Sequence, residues 1–207
     1  MKEWKLNKSF IKQFPIMELT AQHLFYAHEV MDGFDEVFLA EARKTLTKEQ
    51  SEDTDTRCAD IEKLSDPCVI ADQFRKTIDP LVSHALITHA LQYEKEVAPY
   101  LLKRLQTSWQ EEYIESAIRF FIRAQNDFTD DILACYDQIR CPYARSLACI
   151  EIGLRGNLDA APKMFLELET LMDISDDENE QTGGDEQFYE QGAVIALHEL
   201  YYRFCEK

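Results

Sequence analysis

Residues 145–166 read R-S-L-A-C-I-E-I-G-L-R-G-N-L-D-A-A-P-K-M-F-L, from Arg145 to Leu166, and their punctuation decides the fold. Ala148 is small at a position where two helices must approach. Gly156 suits the left-handed conformation that ends many helices. Asp159 is placed to cap the next helix by accepting from its free N–H groups. Pro162 falls in that helix's first turn, where a missing N–H costs nothing. The unit expected from these residues is a helix, a tight turn and a second, antiparallel helix.

Working outward, the same spacing recurs. Val97-Ala98-Pro99 matches Ala160-Ala161-Pro162, with the prolines 63 residues apart, and Thr129-Asp130-Asp131 lies midway. Ala85, Ala117 and Ala148 keep the same step in the preceding helices. His23 and His28 precede His84 and His89 by 61 residues, again close to two units. Within the units the apolar residues follow a helical period, as in Tyr113, Ile114, Ala117, Ile118, Phe120 and Phe121. No strand-like alternation is sustained. The predicted elements are hairpins over approximately 18–48, 54–78, 82–106, 113–139 and 144–171, with a terminal helix over 188–205. Trp4, Phe10 and the lysines at 2, 5, 8 and 12 are expected to close the N-terminal end.

Arg145, Ala148, Gly153, Gly156, Ala160 and Pro162 together resemble the short HEAT-like repeats of the phycobilin-lyase type. The match is good over 144–171, partial over 82–106 and weak over 113–139. The resemblance implies an all-α fold, a right-handed α-solenoid (α-α superhelix) of antiparallel hairpins in a single domain spanning 1–207. Its second helices would line a concave face. The W-x-x-L-G-x-x-Y signature of tetratricopeptide arrays is absent. Stacking is what such hairpins need, since none can bury its apolar surface alone.

Between the last hairpin and the terminal helix, residues 173–186 read D-I-S-D-D-E-N-E-Q-T-G-G-D-E, with seven acids and no base. Like-charge repulsion and low apolar content predict a solvated loop there. The whole chain has 22 basic and 39 acidic side chains, a net charge of −17. A surface this acidic repels phosphate backbones and anionic lipid, so neither nucleic acid nor a membrane surface is an expected partner. The start of the chain has no apolar core of the kind a signal peptide needs. Six cysteines without a C-x-x-C pair fit free thiols in a reducing cytoplasm.

No motif of nucleotide binding or nucleophilic catalysis is present. His23 and His28, like His84 and His89, are five residues apart, which turns the second ring about 140° from the first on a helix. One helix therefore cannot offer both to one metal. His28-Glu29 and His198-Glu199 resemble the iron-binding pairs of the HEAT-like deoxyhypusine hydroxylases, but two pairs near opposite ends are too few for that site. No cofactor or metal is expected, and an enzymatic role is left open with the balance against it. The functional expectation is a non-catalytic interaction scaffold binding a protein on its concave face, through Tyr100, Arg104, Asp131, Tyr136 and Lys163. The acidic residues Asp176, Asp177 and Glu178 are added for a basic partner. The alternatives are an acidic inhibitor of a basic toxin or nuclease, and a small-molecule or metal-dependent enzyme of HEAT-repeat type.

Overall fold

The computed structural model describes residues 36–182 and 188–205, and all regular structure among them is helical, with no strand. His23, His28, Trp4, Phe10 and most of the 18–48 hairpin lie outside the described residues. Among the described residues, contacts group 36–128 and 129–205 as two compact units.

The first unit is built from α1 (Glu36–Lys44), α2 (Lys48–Ile61), α3 (Pro67–Gln73), α4 (Pro80–Ala90), α5 (Glu94–Leu105) and α6 (Glu111–Arg123). Sequence sets the helix starts. Thr47 and Gln50 form a reciprocal capping box at the head of α2. Asp66-Pro67 and Asp79-Pro80 each pair a capping carboxylate with a proline at the first helical position. Asp79 accepts from the N–H groups of Leu81 and Val82, and also from the Thr54 hydroxyl on α2. Pro99, expected to open its helix, stands inside α5 because the helix begins at Glu94.

Helix α4 packs against α2 and α6, while α5 packs against α3 and α6. The core is centred on α6, where Tyr113, Ile114, Ala117, Ile118, Phe120 and Phe121 have no solvent exposure. Phe120 meets Phe74 edge-on at 6.2 Å and Phe121 at 5.2 Å, geometry that aromatic pairs favour. Polar groups in this core are matched. The Ser83 and Ser116 hydroxyls join α4 to α6 at 2.9 Å, and the Tyr113 hydroxyl donates to the Leu101 carbonyl of α5. Glu94, buried at the head of α5, accepts from the backbone N–H groups of Gln125 (2.6 Å) and Asn126 (2.9 Å) and from the Asn126 side-chain amide. The turn after α6 is thereby tied to the start of α5.

In the second unit, α7 (Thr129–Cys135), α8 (Pro142–Arg155), α9 (Ala161–Thr182) and α10 (Gln191–Cys205) pack mainly through α10, which lies against α8 and α9. The crossing of α8 and α10 is very close. A Cβ on Gly153 would lie 2.4 Å from the Ala196 Cα, and one on Gly192 would lie 2.0 Å from the Ser146 carbonyl oxygen. Three local expectations are corrected here. Gly156 is extended (φ −66°, ψ −178°), not left-handed, so its hydrogen side chain serves close packing against Ile152 and Thr129. Asn157 supplies the cap expected of Asp159, accepting from the Asp159 N–H. Residues 173–182 continue α9 in place of a loop. Ser175 explains the last: it is buried, donates to the Glu190 carboxylate and accepts from the Tyr189 N–H, so one face of the acidic stretch is anchored.

Two substitutions test these supports. Glu94→Ala leaves backbone donors without their charged acceptor and is expected to cost about 2–4 kcal/mol, read as a lower urea midpoint; Glu94→Gln, keeping one oxygen, should recover part of it. Gly153→Ala forces two backbones apart and should destabilise by about 1–3 kcal/mol, although alanine is the better helix former. An unchanged midpoint for Gly153→Ala would show that the crossing gives way freely.

Candidate functional site

Helix α5 is two-faced. Val97, Ala98, Leu101 and Leu105 point into the core, leaving Tyr100, Lys103, Arg104 and, beyond the helix end, Thr107 on the opposite stripe at helical spacing. This stripe forms one wall of a groove of about 510 Å³ that opens to solvent. Cys68, Ala71 and Asp72 of α3 supply the second wall. The turn carrying Ser108, Trp109 and Gln110 closes the end. That turn is held at both edges. The N–H groups of Thr107 and Ser108 donate to the Arg104 carbonyl, and the Gln110 amide donates to the Arg75 carbonyl beyond α3.

The groove is aromatic and cationic. Trp109 is 65% exposed and Tyr100 47% exposed, and both line the same groove. Asp72 brings one carboxylate to the wall, but it binds Arg75 at 2.6 Å and Lys76 at 2.5 Å. Those hydrogen bonds, the one from Lys76 foremost, hold its carboxyl below the usual range. Neither Lys103 nor Arg104 has a carboxylate partner among the described residues. The Arg104 guanidinium lies 6.0 Å from the Tyr113 ring centroid, a placement that keeps its charge at the groove without neutralising it.

Of the residues expected from sequence to meet a partner, Tyr100 and Arg104 are brought together in this groove. Lys103, Trp109 and Cys68 were not expected there. The Tyr100-Lys103-Arg104 spacing on one helix was the available signal for Lys103; nothing local signals that α3 and the 107–110 turn complete the walls. The other expected residues belong to the second unit. Asp131 is exposed on α7, and Asp176 and Asp177 are exposed on α9. The Glu178 side chain lies outside the described residues. Lys163 is committed to Asp137 and to Glu167 at 3.1 Å, and its ammonium sits 5.0 Å from the Tyr136 ring centroid. Tyr136 has no solvent exposure, so it has no surface to offer a partner. Its hydroxyl donates to the Arg145 carbonyl and meets the Cys149 sulfur at 3.0 Å. With its one proton so used, the Tyr136 oxygen accepts from the thiol. The Arg145 guanidinium pairs with the buried Glu167 carboxylate beside them. These groups form a buried, mutually paired polar cluster, in which the Arg145 Nε alone lacks an acceptor, rather than a binding surface.

Among the described residues, no group of three or more His, Cys, Asp or Glu side chains is arranged to hold a metal ion, and no helix is long and apolar enough to cross a membrane. No protein-family model, curated protein or solved structure matches the chain.

The cysteines give a direct check of the groove's accessibility. Cys68 is exposed in its wall, whereas Cys149 is fully buried and its burial pushes the thiol up to about 12. Only the thiolate reacts with disulfide reagents. Cys68→Ser should therefore remove a fast-reacting thiol from the native protein, while Cys149→Ser should leave the fast phase intact.

Proposed function

We propose that this chain is a non-catalytic protein-interaction module that binds its partner in the groove between α3, α5 and the 107–110 turn. One observation carries the reading: an exposed tryptophan and tyrosine flank two cations that no described carboxylate neutralises, in a cleft of ligand-binding size. Tryptophan, tyrosine and arginine are the residues that dominate binding energy at protein interfaces. The stacking of α2, α4 and α6 in one layer and of α3 and α5 in another supports a short HEAT-like array as the scaffold. On this reading the cytoplasm is the module's compartment, and its work is recognition by shape and charge.

Neutralisation of a basic partner is the second reading. The net charge of −17 and the exposed Asp176 and Asp177 favour it, and the cations in the groove oppose it for that surface.

The two separate in one experiment. Wild type and Tyr100→Ala/Trp109→Ala are compared as baits, each first shown to have the same thermal midpoint. A partner bound in the groove should lose about tenfold or more in affinity on loss of both rings. A partner held equally well by both proteins, and released by salt alone, would move the contact to the acidic surface and overturn the groove.

A further inference from the structure

Resting on the groove as the contact surface, we infer that its occupant is a short acidic segment of a protein partner, with an apolar side chain between or beside its carboxylates. Charge complementarity selects it. Lys103 and Arg104 lie side by side on one stripe of α5, and Asp72, the carboxylate in the facing wall, is occupied by Arg75 and Lys76. A basic segment would place like charges against both cations. An acidic one meets two charge-assisted donors, of which the Arg104 fork can hold a carboxylate by two bonds at once. The Arg104 guanidinium itself lies 6.0 Å from the Tyr113 ring centroid.

The rings decide the rest of the ligand. Trp109 and Tyr100 present flat apolar surface next to the cations, which a free inorganic anion leaves wet and an aliphatic or aromatic side chain covers. The volume, about 510 Å³, is far more than a lone anion fills, and the open side lets a chain enter and leave. A nucleic acid would also meet cations and stacking rings. Its many phosphates, however, face the field of a chain carrying −17, and two lysine or arginine contacts release few counterions against that repulsion. An acidic segment with a few carboxylates suffers less from the long-range field and gains as much from the local pair.

The probe is an immobilised set of synthetic peptides, acid-rich, base-rich and uncharged, matched in length and apolar content, read with the full-length protein. The acid-rich class should bind, with affinity falling as salt rises. Lys103→Glu/Arg104→Glu should weaken it about tenfold or more, at an unchanged thermal midpoint, and shift preference to the base-rich class. Lys95→Glu, on the same helix but outside the groove, should change little. Equal binding of all three classes overturns the inference, as does an equal loss with Lys95→Glu. Tighter binding of a single-stranded oligonucleotide overturns it in favour of nucleic acid. A concentration-dependent dimer in sedimentation that Lys103→Glu/Arg104→Glu dissolves overturns it in favour of a second copy of this chain. If acid-rich peptides fail to displace a captured partner that still requires Tyr100 and Trp109, the groove stands and its acidic occupant falls. If the partner requires neither ring, the groove itself falls.

Discussion

A single carboxylate holds the groove-bearing helix in place. Glu94 is the first residue of α5, and its two oxygens take the N–H groups of Gln125 and Asn126 together with the Asn126 amide. A buried carboxylate is costly unless its hydrogen bonds are complete, so the geometry admits little slack. The bonds fix where α5 begins, and through helical spacing they fix where Tyr100, Lys103 and Arg104 emerge. The Tyr113 hydroxyl ties the same helix again further along, at the Leu101 carbonyl. Side chains on a helix tied at Glu94 and again at Leu101 are held in register by the fold itself.

The second unit rests on a different constraint, the near-contact of two backbones. Gly153 and Gly192 permit α8 and α10 to touch where any side chain would collide with Ala196 or with the Ser146 carbonyl. At such a distance the gain comes from many small dispersion contacts rather than from large apolar side chains. Larger residues pack around the crossing: Val194, Ile195, Leu197 and Leu200 of α10 are all buried. Polar groups are also carried inside, and the Tyr136–Cys149 contact with its adjoining Arg145–Glu167 pair shows how. Most of that cluster's polar groups are paired, through the Tyr136 hydroxyl, the Cys149 thiol and the Arg145–Glu167 ion pair.

Much of the helical pattern was legible because amphipathic periodicity and proline placement are local properties. The stripe of Tyr113 to Phe121 marked α6, whereas the Asp-Pro pairs that start α3 and α4 at 66–67 and 79–80 went unread although their signal is local. Gly153 and Gly156 were legible as necessary glycines, but not for the reason that applies. Glycine at a helix end suggests a left-handed turn, whereas here it answers to a neighbouring backbone, which no local reading reveals. The acidic run after Asp173 misled in the same way, since the anchoring of Ser175 by Tyr189 and Glu190 is a tertiary event. In the groove, Tyr100 and Arg104 could be found from their place on a second helix. Trp109, lying between helices, belonged to no periodic pattern.

The long sequence separation across the α8–α10 crossing has a consequence for how the chain acquires its structure during synthesis. The Ser146–Gly192 hydrogen bond joins residues 46 apart, and the Arg203 guanidinium reaches back 50 residues to the Gly153 carbonyl. A ribosome delivers α8 well before the helix that covers it. Through that interval the close-packing face around Gly153 lacks the Ala196 backbone that covers it in the folded chain. Within 36–128 the ties are shorter: Gln110 reaches Arg75 across 35 residues and Arg123 meets His84 across 39. All the residues that line the groove, from Cys68 to Gln110, therefore leave the ribosome well before α10, the helix that the second unit needs to close.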